Sequence, residues 1–216
     1  MKRCLILTGG RLDMAFAREY LKREAFNKII AVDGGLGALK ELELEPDVVV
    51  GDLDTVSPEV VAYYRRREHI IWEVHNPEKD DTDTELAISR AAATGCGEIV
   101  LLGATGGRLD HMIGNIHLLY PCLQRGIQAY ILDPQNRLYL TDGERHFKKG
   151  ELWGKYISFL PLTERVEGIT LRGFKYPLTD RDIEIGTSLC ISNELEGEEG
   201  ILTFTDGVLM VVESHD

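Results

Sequence analysis

The chain has 216 residues, of which 44% are hydrophobic and 28% are charged, and its formal net charge is −12 at pH 7. A chain of this length can bury one large core, or one medium and one small core, and this composition is unlike that of disordered proteins. The negative charge disfavours nucleic acids and anionic membranes as partners, because both are negatively charged themselves. No apolar run approaches the ~20 residues of a membrane-spanning helix.

The cysteines predict buried free thiols and no structural zinc site. No two of them lie at C-x-x-C spacing, and all lie in apolar stretches, which suits a reducing cytosol. The four are Cys4, Cys96, Cys122 and Cys190. Residues Met1 to Gly10 lack the long apolar region and cleavage site of a signal peptide. We therefore expect a soluble cytoplasmic protein.

The first two thirds of the chain alternate short apolar runs with helical patterns. The predicted strands are Cys4–Leu7, Lys28–Val32, Asp47–Val50, Ile70–Val74, Glu98–Leu102 and Gln128–Leu132. The predicted helices are Met14–Arg23, Leu36–Leu42, Pro58–Arg67, Thr84–Thr94 and Asp110–Gln124. This alternation is typical of a mainly parallel sheet covered by helices. We predict an α/β domain with a Rossmann-like sheet over residues 1–142.

After about Leu140 the pattern changes to short β-type runs separated by glycines and other turn residues. The predicted strands are Tyr156–Leu160, Ile169–Leu171, Ser188–Ser192, Ile201–Phe204 and Val208–Val212. Short strands at this spacing are typical of a small antiparallel sandwich or barrel. We predict a second domain, a small β-sandwich, over residues 143–216.

One hexapeptide, Thr-Gly-Gly-Arg-Leu-Asp, occurs twice, at 8–13 and at 105–110. Both copies follow an apolar run, so they are two similar turns at the carboxyl ends of strands, near one crevice. The alternative is coincidence, because glycine and a helix-starting aspartate are common at such turns.

Acidic residues recur just after predicted strands, where ligands of open parallel sheets bind. Asp33 follows one strand, Asp52 and Asp54 follow the next, and Asp110 follows a later one. Two carboxylates as close as Asp52 and Asp54 repel each other unless a cation compensates, and a hard divalent ion with phosphate oxygens suits them. The alternative is a solvated turn in which Asp54 caps the next helix.

Two further segments carry charged groups at predicted helix starts. Asp80-Asp81-Thr82-Asp83-Thr84-Glu85 contains ordinary capping residues, but three aspartates in four positions exceed what capping needs. Lys79 either binds a phosphate or balances charge. In Gly103-Ala104-Thr105-Gly106-Gly107-Arg108, backbone N–H groups can face a phosphate and Arg108 can grip it bidentately. This loop is not the P-loop pattern.

These motifs together resemble the thiamine pyrophosphokinase family. The matching segments, in the family's order and spacing, are 33–35, 51–55, 79–85 and 103–111, with Asn115 and Ser192-Asn193-Glu194 beyond them. The resemblance covers nearly the whole chain from Asp33. It implies a magnesium-dependent transfer of diphosphate from ATP to the hydroxyl of thiamine, giving thiamine diphosphate and AMP. It also implies a homodimer whose thiamine pocket lies between the α/β domain of one subunit and the β domain of the other.

The resemblance also assigns roles to individual residues. Asp52, Asp54 and Asp83 are expected to bind Mg²⁺ and, with Arg108 and Asp110, to form the catalytic set. ATP and its phosphates are expected to contact Asp33, Gly34, Gly35, Lys79, Thr82, Gly106, Gly107 and Arg108. Thiamine is expected to contact Asp110, Ser192 and Asn193.

Two other functions compete with this one. Asp52-Leu53-Asp54-Thr55-Val56 after an apolar strand fits the opening motif of a haloacid-dehalogenase-type phosphatase, with Asp52 as the nucleophile. A nucleotide- or vitamin-binding sensor without turnover is the non-enzymatic alternative. Against the sensor, simple binding seldom needs so many carboxylates.

Overall fold

The computed structural model describes residues 1–74 and 81–216, which form two compact units, Met1–Pro134 and Gln135–Asp216. The first unit has six strands: β1 Arg3–Leu7, β2 Lys28–Val32, β3 Val48–Gly51, β4 Ile71–Val74, β5 Glu98–Leu102 and β6 Gln128–Leu132. Its helices are α1 Met14–Arg23, α2 Gly35–Glu41, α3 Pro58–Arg65, α4 Asp83–Ala93, α5 Leu109–His117 and α6 Leu119–Gln124. No helix in these ranges is long and apolar enough to span a membrane.

The six strands are parallel and lie in the order β4-β3-β2-β1-β5-β6. The central strands are buried almost throughout, which explains their unbroken apolar sequences. The order of strands reverses between β1 and β5. The loops that leave the carboxyl ends of those two strands lie at this switch point, the usual ligand position in such sheets.

Helix starts in this unit follow ordinary capping chemistry. The side chain of Asp13 accepts a hydrogen bond from the N–H of Phe16 at 2.9 Å, and Ser57 and Thr82 cap α3 and α4 in the same way. The predicted helix Asp110–Gln124 is wrong as one element, because it divides at Leu118 into α5 and α6. Pro121 has no N–H to donate to the carbonyl of His117, so the helix cannot continue regularly there.

The second unit is entirely β apart from a short 3₁₀ turn at Lys149–Glu151. Its strands are β7 Asn136–Thr141, β8 Arg145–Lys148, β9 Tyr156–Pro161, β10 Arg165–Arg172, β11 Leu178–Glu184, β12 Glu199–Thr203 and β13 Leu209–Ser214. They pair antiparallel in two groups, β7-β13-β9 and β11-β10-β12-β8. Phe147, Phe159 and Phe174 meet edge-to-face, with centroids 5.6–5.8 Å apart.

The predicted strand Ser188–Ser192 is wrong. This segment is a turn, in which Ser192 has a φ of +58° and the carbonyl of Cys190 accepts from the N–H of Phe159. The fold class, an α/β unit with a mainly parallel sheet and a small antiparallel β unit, is confirmed. The functional division at residue 142 stays a prediction.

Candidate active site

A cavity of ≈580 Å³ lies in the first unit at the crevice between the loops after β1 and β5. Loops after β1, β2, β3 and β5 and the start of α4 all contribute to its lining. The predicted residues in its lining are Asp33, Thr82, Asp83, Gly106, Gly107 and Arg108. An adjoining hollow of ≈320 Å³ is lined by Asp110 and shares Thr82 and His111 with the cavity. The structure therefore brings the β2, α4 and β5 motifs to one place.

Asp33 lies at the acidic side of the cavity, directly after β2. Its pKa is raised to about 6, chiefly by burial and then by the negative charges of Asp83, Asp52 and Asp54, while a hydrogen bond from the N–H of Leu53 at 3.4 Å acts in the opposite direction. The interaction with three other carboxylates means that the predicted metal-binding residues converge near Asp33. A cation at this position would offset the repulsion among these carboxylates.

The backbone around Asp33 is shaped to hold this carboxylate. Asp33 has a φ of +42° and Leu53 one of +64°, backbone conformations that residues other than glycine seldom adopt. Gly51 has a φ of +135°, and a Cβ built there would lie 1.8 Å from Oδ1 of Asp33. Strain of this kind concentrates at functional sites.

Asp52 and Asp54 do not line the cavity but lie beside its β2–β3 edge. The N–H of Asp54 donates to Oδ1 of Asp52 at 3.1 Å, which closes a tight turn, and the following Thr55 does line the cavity. Within residues 1–74 and 81–216, no three carboxylate, histidine or cysteine side chains already enclose a metal position. Magnesium is usually held by one or two carboxylates together with substrate phosphates, so it needs no preformed cage.

Arg108 and Asp110 form an ion pair at the start of α5. Nε and Nη2 of Arg108 donate to the two carboxylate oxygens of Asp110 at 3.1 and 2.6 Å. This bidentate contact, with a further hydrogen bond from the N–H of His111, lowers the pKa of Asp110 to about 2. A carboxylate held in this way accepts a proton poorly until Arg108 moves to another anion.

The other residues predicted to contact the nucleotide have roles in helix capping and close packing. Thr82 caps α4 through its Oγ1, and a Cβ on Gly35 would lie 2.2 Å from the carbonyl oxygen of Leu7. Gly34 caps α2 without lining the cavity. Lys79 lies outside the described residues.

In the second unit, Asn193 is 2% exposed, and its amide bonds both the N–H and the carbonyl of Tyr176. Ser192 beside it is exposed. Asn193 thus holds the loop of Tyr176, a contact that the sequence did not predict.

The cavity in the first unit is also lined by Thr8–Arg11, which were not among the predicted site residues. The sequence signal that could have identified them is the hexapeptide that they share with the loop after β5.

Comparisons with known proteins indicate the same family for both parts of the chain. Residues 17–131 match the model described as thiamin pyrophosphokinase, catalytic domain, and residues 145–209 match thiamin pyrophosphokinase, vitamin B1 binding domain. The chain is 37% identical over 188 residues to thiamine pyrophosphokinase of Bacillus subtilis, covering 87% of each chain.

Solved structures of thiamine pyrophosphokinases have the same fold as this chain. The crystal structure of thiamine pyrophosphokinase from Bacillus subtilis superposes with a TM-score of 0.88 at 32% identity, covering 100% of both chains. The structure of thiamin pyrophosphokinase from Geobacillus thermodenitrificans gives 0.86 at 35% identity, covering 99% of this chain and 98% of that one. The yeast enzyme, at 17% identity and a TM-score of 0.80, shares the fold. This chain belongs to the thiamin pyrophosphokinase family.

Proposed function

We propose that the chain transfers diphosphate from ATP to the hydroxyl of thiamine, producing thiamine diphosphate and AMP. The observation that carries this proposal is the match of its two parts to the catalytic and the vitamin B1 binding domain models of one family. The cavity at the switch point of the sheet adds a place where phosphates and carboxylates can meet. The chemistry is an in-line attack of an alcohol oxygen on phosphorus, which depends chiefly on positioning and charge neutralisation.

Magnesium is the metal that we propose for the acidic side of the site. Asp52, Asp54 and Asp83 are the residues that would hold it, and the raised pKa of Asp33 supports an unneutralised cluster there. When bound, Mg²⁺ neutralises charge on the phosphates that are transferred and released. Carboxylate oxygens are the donors that this hard cation prefers.

The chain's own groups would position the phosphates. Gly106 and Gly107 have φ values of +79° and +86°, so the loop can turn its N–H groups towards an anion. We propose that Arg108 exchanges Asp110 for a phosphate, which frees Asp110 to face the thiamine hydroxyl. Asp33, Gly34, Gly35, Lys79 and Thr82 remain our proposals for the nucleotide side.

We propose that thiamine, a cation, is bound by Asp110 with Ser192 and Asn193. Because the Asn193 amide is engaged with Tyr176, its contribution would be to hold the surrounding loop in place. We also propose a cytoplasmic homodimer. Free, buried cysteines support the compartment, and exposed apolar side chains such as Leu109 at 69% and Ile185 at 63% support an additional interface.

Membership in this family removes the phosphatase alternative, since the resemblance of residues 52–56 to the opening motif of a haloacid-dehalogenase-type phosphatase was local. An activity assay distinguishes the proposed enzyme from a sensor that binds its ligands without turnover. The purified chain is incubated with ATP, Mg²⁺ and thiamine, and AMP and thiamine diphosphate are quantified by chromatography, with thiamine omitted as the control. We expect both products in equal amounts. Binding of ATP and thiamine without either product would select the sensor.

A further inference from the structure

The first copy of the hexapeptide, at 8–13, has no role in the proposed function, yet it lines the same cavity as the second copy at 105–110. Strands β1 and β5 are parallel neighbours, with Leu7 opposite Leu102, so the loops that follow them leave the sheet side by side. Both loops lie at the point where the strand order reverses. The first loop therefore occupies a position where ligand contacts are expected.

The two loops interlock through their backbones. The N–H of Thr8 donates to the carbonyl of Leu102 at 3.0 Å. A Cβ built on Gly10 would lie only 2.1 Å from the carbonyl oxygen of Gly103, so no larger residue fits this approach. The position of the first loop is thus fixed by the phosphate-binding loop that we propose at 103–108.

Arg11 lies against that second loop. A Cβ built on Gly106 would be 3.3 Å from the Cβ and 4.0 Å from the Cδ of Arg11. The Arg11 side chain thus begins beside the glycines proposed to face a phosphate, and it lines the cavity. The absence of a side chain at Gly106 makes room for it.

The charges around the cavity leave Arg11 as an available cation. Arg108 is held by Asp110 through two hydrogen bonds. Arg11 is exposed and makes no hydrogen bond or ion pair with any residue in the described parts of the chain. An acidic protein that binds a polyanion needs such cations, and a guanidinium can grip two phosphate oxygens at once.

We propose that Arg11 is a second arginine contact for the phosphate chain of the nucleotide, acting from the β1 loop beside the loop that carries Arg108. The guanidinium of Arg11 donates hydrogen bonds to phosphate oxygens and compensates part of their charge. Which nucleotide it contacts rests on the proposed function, but the contact itself requires only a bound polyphosphate.

The test compares Arg11→Ala with Arg66→Ala, which removes the same charge from an exposed arginine outside the cavity lining. Titration calorimetry measures ATP and AMP binding with Mg²⁺ and without thiamine, so that no transfer occurs. We expect Arg11→Ala to weaken ATP binding about tenfold, as lost hydrogen bonds to a charged group do, and AMP binding by less than about threefold. Arg66→Ala should leave both affinities unchanged. Arg11→Lys should recover part of the loss, because it keeps the charge but not the fork.

ATP binding by Arg11→Ala within about twofold of the unchanged protein would overturn the proposal. An equal loss for ATP and AMP would also overturn it, since a general disturbance of the loop would not depend on the number of phosphates. Product formation by the unchanged chain is measured separately. Active wild-type protein with unaltered ATP binding in Arg11→Ala removes this inference alone, whereas inactive wild-type protein removes the proposed function.

Discussion

Replacing Asp33 by asparagine should stabilise the metal-free protein at alkaline pH. The pKa of Asp33 is raised from 3.8 to about 6, first by burial and then by the negative charges of Asp83, Asp52 and Asp54. Between these two values the folded protein binds more protons than the unfolded chain, so wild-type stability falls as the pH rises through this window. Asparagine has no charge to desolvate. It also tolerates the φ of +42° at this position and can still accept the N–H of Leu53.

The size of the effect follows from the same pKa. A rise from 3.8 to about 6 corresponds to at most about 3 kcal/mol. Asp33 is only partly buried, and solvent screening reduces the expected gain at pH 8 to about 1 kcal/mol. For a chain of this size, that gain raises the melting temperature by about 2–4 °C. As the pH falls towards and below 3.8, Asp33 becomes protonated in both states and the difference should fade.

Thermal unfolding followed by circular dichroism from pH 4 to pH 8, in EDTA and without nucleotide, measures this difference. Asp142→Asn is the matched control, because it removes the same charge from an exposed aspartate and should give no pH-dependent gain. An Asp33→Asn protein that is less stable than wild type at pH 8, or whose advantage grows towards acid, would refute the reasoning.

Three further substitutions have defined outcomes. Asp52→Asn should lower turnover of ATP and thiamine by at least about 100-fold at an unchanged melting temperature, and full activity would remove Asp52 from the metal site. Gly51→Ala should destabilise by about 2–4 kcal/mol in denaturant titrations, because its Cβ would lie 1.8 Å from Oδ1 of Asp33 at a φ of +135°; unchanged stability would contradict this. Glu213→Ala should lower the free energy of unfolding by about 3–5 kcal/mol, because this 1%-exposed carboxylate accepts hydrogen bonds from Arg137 at 2.5 Å and Tyr139 at 3.0 Å. A loss below about 1 kcal/mol would contradict this prediction.

The convergence of carboxylates could be predicted from the sequence because parallel strands place their following loops on one edge of the sheet. Asp33, Asp52 and Asp54 each come directly after an apolar run, and Asp33 senses the charge of the other two in the structure. Strand order could not be predicted, because it depends on packing between strands far apart in the chain. The repeated hexapeptide suggested that the loops of Arg11 and Arg108 lie near one crevice, and the strand order shows that they are direct neighbours.

Other features depended on contacts that leave no pattern in the sequence. The Arg108–Asp110 ion pair arises from side-chain rotamers at a helix start, and it makes Asp110 a paired carboxylate. The burial of Asn193 reflects hydrogen bonds to Tyr176, 17 residues earlier. Ser188–Ser192 has the composition of a strand but forms a turn beside β9. It contacts that strand through isolated backbone hydrogen bonds, such as the one from the N–H of Phe159 to the carbonyl of Cys190.

A crystal structure with Mg²⁺ and a non-reactive ATP analogue tests the account most directly. We expect the triphosphate in the cavity between the loops after β1 and β5, with carboxylate oxygens of Asp52, Asp54 or Asp83 about 2.1 Å from the ion. A triphosphate bound away from this crevice, or an ion with none of these three carboxylates among its ligands, would contradict the account.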